Sequence, residues 1–152
     1  MLALSILQNM PIFGGINETL LKLILELSQF IRFKKNDYVF KEGDPGGAMY
    51  VILSGSIVIE KVWKERAYIL RVLNEGDCFG EMAFIDLAPR SASIRVIFDC
   101  EVIRIDSAVL MQVYQTDIEQ FTMIHMNISR EISRRLRIAD QRMFELTHRD
   151  LP

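Results

Sequence analysis

Histidine and cysteine are scarce in this chain, and long apolar runs are missing altogether. The only histidines among the 152 residues are His125 and His148, both in the C-terminal part. Metal enzymes built on inward-facing strands need two or three imidazoles there. No histidine falls between residues 31 and 106, and no nucleophile–base pair is visible in that stretch, so an enzyme is not expected. The two cysteines, Cys78 and Cys100, each sit in an apolar, strand-like segment. They read as small core residues under reducing conditions rather than as a disulfide, which points to the cytoplasm. No apolar run approaches the roughly 20 residues that cross a bilayer, since Leu20–Leu27 is interrupted by Lys22 and Glu26. No basic region precedes an apolar one at the N-terminus, so no signal peptide is expected. A net charge of −2 offers no global attraction to nucleic acid or to an anionic membrane.

What remains is ordinary globular composition, half apolar and a quarter charged, at a length suited to one domain with a real core. Three segments are expected within it. Residues 1–30 form a helical segment, with apolar positions at helical spacing over 3–10 and 17–30 and with Asn17 or Thr19 as a cap. Residues 31–106 change pattern. Short apolar or β-branched runs recur at Tyr38–Phe40, Met49–Leu53, Ser56–Val62, Tyr68–Leu73, Ser93–Phe98 and Cys100–Ile105. Turn signals separate them, among them Ser54-Gly55 and Phe98-Asp99, as in an antiparallel sandwich or roll. Residues 107–152 return to the helical period, with a short helix over Ser107–Tyr114 and a long one from Asp117 to about His148. The long helix carries Ile128, Ile132, Leu136, Ala139, Met143 and Leu146 in a narrow stripe close to a coiled-coil seam. The expected fold is α+β: an antiparallel, jelly-roll-like β-roll between N-terminal helices and a long C-terminal helix.

The most informative stretch runs from Phe79 to Ser93, Phe-Gly-Glu-Met-Ala-Phe-Ile-Asp-Leu-Ala-Pro-Arg-Ser-Ala-Ser. It sets one carboxylate (Glu81) and one guanidinium (Arg90) on either side of a short helical turn. Gly80 and the small residues Ser91, Ala92 and Ser93 leave room for a ligand to approach the backbone. An arginine fork matches phosphate oxygens, and a helix start offers free N–H groups. The carboxylate accepts from a sugar hydroxyl and repels a phosphate, so it belongs on the sugar side. The target is a small molecule with both groups.

Phe79–Ala83 followed by Pro89–Ser93 resembles the phosphate-binding cassette of the cyclic-nucleotide-binding domain family, which includes catabolite activator proteins and regulatory subunits of cAMP-dependent protein kinase. Glu42–Gly46, Tyr50–Gly55 and Gly76–Phe79 resemble flanking elements of the same family in the right order, and the likeness runs from about Met10 to Met143. It implies that Arg90 pairs with the cyclic phosphate and that Glu81 accepts from the ribose 2′-hydroxyl. Gly80 then lets the sugar reach the backbone, the N–H groups of Met82 and Ala83 face the phosphate, and Ala92 keeps the pocket open. Ser91 is placed to bond the phosphate or a purine edge. Threonine there accompanies cGMP preference in the family, so serine favours cAMP without excluding cGMP. Val51, Val72, Leu73 or Phe84 is expected to supply the apolar wall for the base. On the last helix, Arg135 is expected to stack on the base, and Asp140 either to accept from the adenine amino group or to be solvated.

The resemblance further implies that the final helix closes over the ligand and pairs with its counterpart in a homodimer, with no metal and no cofactor beyond the nucleotide. Few residues follow position 145, too few for a DNA-binding helix-turn-helix, so the signal is expected to be read by a partner or by the rest of a larger kinase subunit, channel or regulator. The arginines at 130, 134, 135, 137 and 142 are interleaved with Glu131 and Asp140 and lack alternating aromatics, as on a solvated helix face. The alternative is a structural module that dimerises through the long helix without binding nucleotide. Relatives of that kind usually lack the cassette arginine or glutamate, and both are present.

Overall fold

The computed structural model describes residues 2–149. Two helices, α1 (Leu2–Asn9) and α2 (Glu18–Leu27), flank a 3-10 turn at Pro11–Phe13. Asn17 is the cap of α2, its side chain accepting from the Leu20 N–H at 2.8 Å. Six strands follow: β1 (Gln29–Phe33), β2 (Tyr38–Phe40), β3 (Ala48–Trp63), β4 (Arg66–Leu73), β5 (Cys78–Phe79) and β6 (Ser93–Asp106). A 3-10 turn at Glu81–Phe84 lies between β5 and β6, and helices α3 (Ser107–Thr116) and α4 (Ile118–Thr147) close the chain. The Asp117 carboxylate accepts from the Gln120 N–H and caps α4. Among the described residues no helix is long and apolar enough to cross a membrane.

All strand pairs are antiparallel, and β3 and β6 form the spine, with β1 and β2 on β6 and β4 and β5 on β3. The run Ala48–Leu53 is apolar at every position because both of its faces are buried. Met49, Val51 and Leu53 face the helices, packing with Leu7, Phe13, Leu21, Ile24, Ile124 and Ile128. Ala48, Tyr50 and Ile52 face the inside of the roll with Phe79, Ile94, Val96 and Val102. One sheet therefore supports the helices on one side and encloses a space on the other. This is the β-roll expected from the sequence.

Local boundaries differ where pairing overrides pattern. The α2 helix stops at Leu27, and the next residues enter β1 because Gln29–Phe33 finds a full set of partners in Cys100–Arg104. Ser54-Gly55 and Phe98-Asp99 are not turns. They lie within continuous strands whose register shifts between Ile52 and Ile57, bending the sheet into a roll. Gly55 carries that bend at φ 85°, and a Cβ there would lie 2.3 Å from the Asp99 carbonyl oxygen and 2.6 Å from the Cys100 Cβ. Gly76 has the same φ of 85° with nothing within 4 Å. Gly76→Ala is expected to cost only the left-handed penalty of about 1–2 kcal/mol. Gly55→Ala adds displacement of two strands and should cost about 3–4 kcal/mol. Urea midpoints at constant m-value test the difference, and equal losses would remove the steric account of the bend.

Beyond Ile128 the apolar stripe of α4 leaves the core. Ile132 is partly covered, while Leu136, Met143 and Leu146 are 60–67 % exposed.

Candidate functional site

The segment after β5 turns on Gly80, at φ 78°, before the 3-10 turn Glu81–Phe84. Its left-handed backbone and close neighbours both call for glycine. A Cβ would sit 2.8 Å from Arg90 Nη1 and 3.0 Å from the Ala48 carbonyl oxygen. The return segment is latched to the loop after β2: the Arg90 N–H donates to the Asp44 carbonyl at 2.8 Å, and the Gly43 N–H donates to the Arg90 carbonyl at 2.8 Å. That ladder fixes the backbone of Arg90 and aims its side chain inward.

Arg90 Nη2 donates to the Ala48 carbonyl at 2.8 Å and Nη1 to the Gly80 carbonyl at 3.4 Å. Its guanidinium lies 4.1 Å from the centre of the Phe40 ring. These partners are two carbonyl oxygens and a π-face, none of them an anion, and Nε is buried without a hydrogen-bond partner among the described residues. Burial, reinforced by the neighbouring charge of Arg104, pushes the Arg90 pKa below its ordinary value, against opposing contributions from Tyr50 and Asp44. A desolvated cation without a close counter-ion is a seat for an anion.

Glu81 is buried and ion-paired with Arg135 of α4, whose guanidinium donates to it through Nη1. Arg135 Nε also lies 3.5 Å from Glu131, and Arg134 Nη2 binds the same carboxylate at 2.5 Å. The hydrogen bond from Arg134, aided by both arginine charges, holds Glu131 below the usual carboxylate range. Cys78 adjoins this cluster. Burial, then the charge of Glu81, pushes its thiol up to about 12, so it stays protonated. Cys78 and Cys100 are free thiols.

Arg90, Glu81, Arg135 and Cys78 line a cavity of about 230 Å³ inside the roll. Of the expected site residues, Gly80, Glu81, Met82, Ala83, Arg90, Ser91, Ala92 and Arg135 all border it. Two details differ from expectation. The Ala83 N–H donates to the Gly80 carbonyl at 3.1 Å and so is already engaged in the turn. The Arg135 guanidinium rests on Glu81 rather than standing free to stack on a base.

Val72 and Asp140 are not brought to the cavity. Val72 lies between Arg71 and Leu73, both of which border it, and alternation along β4 turns Val72 to the opposite face. Asp140 follows Arg135 by five positions, about 140° around the helix at 3.6 residues per turn, and is exposed. Among the other wall candidates, Leu73 borders the cavity, whereas Val51 and Phe84 pack in the helix-facing core. Sequence reasoning missed Phe40, Ile59, Arg71, Asp86 and Ile94, which also line the space.

The model of the family described as "Cyclic nucleotide-binding domain" matches residues 30–117. The chain belongs to the cyclic nucleotide-binding domain family. It is 28 % identical over 149 residues to the CRP-like cAMP-activated global transcriptional regulator of Mycobacterium tuberculosis, covering 97 % of this chain and 65 % of that protein. It is 33 % identical over 112 residues to the cGMP-dependent protein kinase of Plasmodium berghei, covering 73 % of this chain and 13 % of the kinase. The crystal structure of the Thermus thermophilus catabolite activator protein superposes with a TM-score of 0.79 at 26 % identity, over 90 % of this chain and 63 % of that one. The chain thus spans less than two thirds of the length of each of these relatives. The matched residues cover the β-roll from Phe30, the cassette and α3, and end at Asp117, before α4 and its Arg135.

Proposed function

We propose that this chain is a sensor domain for a 3′,5′-cyclic purine nucleotide and that it signals through α4. The observation that carries the reading is Arg90, a preorganised guanidinium facing the cavity with no carboxylate partner in contact with it among the described residues. The cyclic phosphate takes the position beside Arg90, whose guanidinium fits into the space that a Gly80 side chain would occupy. The 2′-hydroxyl donates to Glu81, the one carboxylate of the cavity that is buried. Kinship leaves the base open, because the relatives include a cAMP-activated regulator and a cGMP-dependent kinase.

The route to α4 follows from the same carboxylate. Glu81 is held by Arg135, so a ribose hydroxyl arriving at Glu81 meets a group already tied to the helix. Binding energy that differs between two positions of α4 shifts their populations. The stripe Ile132, Leu136, Ala139, Met143 and Leu146, exposed from Leu136 onward, repeats at four, three, four and three residues, a heptad seam, and supports pairing with a second copy of the chain. An effector protein or domain then reads the helix position.

Calorimetric titration with cAMP and with cGMP tests this. Saturable binding of at least one of them is expected. No heat with either, from protein folded by circular dichroism, would leave only a structural, dimerising module.

A further inference from the structure

Five charged side chains border the cavity among the described residues: Arg71, Glu81, Asp86, Arg90 and Arg135. Glu81 and Arg135 cancel, because they are ion-paired with each other. Cys78 also borders the space, but burial keeps its thiol protonated and neutral. Two guanidiniums and the Asp86 carboxylate remain, a surplus of one positive charge. That balance suits a ligand carrying one negative charge.

Asp86 has no part in seating the phosphate or the ribose. It lies four positions before Arg90 on the same short segment and is exposed. Its N–H donates to the Met82 carbonyl at 3.1 Å, and its Oδ1 accepts from the Ala88 N–H at 3.1 Å. Both contacts close a tight turn that leads into Pro89, whose ring fixes the backbone just before Arg90. The carboxylate is thereby held in place relative to the phosphate seat. It forms no ion pair with Arg90 or any other cation among the described residues. Its charge leaves the Arg90 fork free and acts on whatever occupies the cavity.

Resting on the cyclic-nucleotide reading above, we propose that Asp86 is a charge filter through which the site rejects linear nucleotides. A 3′,5′-cyclic phosphate is a diester with a single negative charge. The 5′-monophosphate of the same nucleoside keeps the base, the ribose and the phosphate but ionises a second time at a pKa of about 6. Apolar walls and an acceptor for the 2′-hydroxyl treat the two alike. Asp86 does not, because the diester feels its repulsion once and the doubly ionised monoester feels it twice. Between solvent-exposed groups, one such interaction changes affinity by roughly 1.5- to 5-fold. The same factor then separates the two ligands, and longer phosphate chains are disfavoured further.

The test is equilibrium titration of the whole chain at about pH 8, where the monoester is doubly ionised. Three ligand types are compared: cAMP and cGMP, the 5′-monophosphates of the same nucleosides, and the methyl esters of those monophosphates. The proteins are the wild type and Asp86→Asn, whose amide oxygen still accepts from the Ala88 N–H. The wild type is expected to prefer the cyclic ligand. Asp86→Asn is expected to narrow its preference over the monoester by roughly 1.5- to 5-fold, because the monoester gains more. The methyl ester is linear but singly charged, so its ratio to the cyclic ligand is expected to stay unchanged. Equal gains for all three ligands, or none, would leave Asp86 as a turn residue only and overturn the proposal. A methyl ester that follows the monoester overturns it as well, since shape and not charge would then be sensed. So does a wild type that binds the monoester as tightly as the cyclic ligand. Each of those outcomes leaves the cyclic-nucleotide site standing, whereas a wild type that binds neither cAMP nor cGMP removes the site and the filter together. A thermal midpoint matching the wild type establishes that the variant is folded, as expected at an exposed position.

Discussion

Arg90→Ala is expected to lower cyclic-nucleotide affinity by about 2–5 kcal/mol while leaving the thermal midpoint nearly unchanged. The two effects separate because of what the side chain does in the free protein. Its hydrogen-bond partners are the carbonyl oxygens of Gly80, which borders the cavity, and of Ala48, which is buried behind the guanidinium; the space that truncation vacates joins the cavity, so water replaces the lost donors. Truncation therefore orphans no buried group, and the ladder that fixes this segment uses the Arg90 backbone, which alanine keeps. The bound state differs: a phosphate seated beside Phe40 and Gly80 would lose its only in-contact cation and remain desolvated. Arg90→Lys keeps the charge but not the fork. One ammonium cannot hold the Ala48 carbonyl and two phosphate oxygens in one plane, so an intermediate loss is expected. Calorimetry on both variants checks this. An alanine variant with native affinity would mean that the anion site lies elsewhere.

How much of this was legible in the sequence depends on how local each feature is. The cassette residues Gly80, Glu81 and Arg90 lie within eleven positions on one connected segment, and their types state the chemistry without knowledge of the fold. Asn17 and Asp117 announce their helices because capping is settled within three residues. Phe40, Ile59 and Ile94 are different: each is an ordinary strand residue, and what makes it a wall is pairing across 54 positions (Phe40 with Ile94) and 35 positions (Ile59 with Ile94). The exchange of Val72 for its neighbours shows the same limit at single-residue scale. Parity on β4 decides which side chains face inward, and the register shift between Ile59 and Glu60 sets that parity on the partner strand. Likewise, Gly55 resembles a turn glycine until its partners Asp99 and Cys100 show a bend inside a continuous strand. The ion pair between Glu81 and Arg135, 54 positions apart, left no local signal in either residue.

That ion pair gives the second large effect. Arg135→Met is expected to destabilise the fold by about 3 kcal/mol, because it leaves the Glu81 carboxylate buried without its counter-charge. The loss belongs at the low end of the range for broken buried pairs. Helix α4 is anchored in the core through Ile124 and Ile128, with Phe121 and Ile132 packed alongside, so its half beyond Ile132 can swing out and admit water to Glu81. Glu81→Gln in the Arg135→Met background removes the stranded charge and should restore most of the stability, whereas Glu81→Gln alone should not stabilise. In a double-mutant cycle the two changes then couple by at least about 1 kcal/mol. Additive losses would mean that the contact does not hold α4 at all. Hydrogen exchange separates a local from a global origin. If the pair fastens the helix to the cavity, Arg135→Met speeds exchange across residues 131–147 while β3 and β6 keep their protection. Uniform acceleration through the roll would place the loss in the core, and ligand arriving at Glu81 would then have no privileged path to the helix.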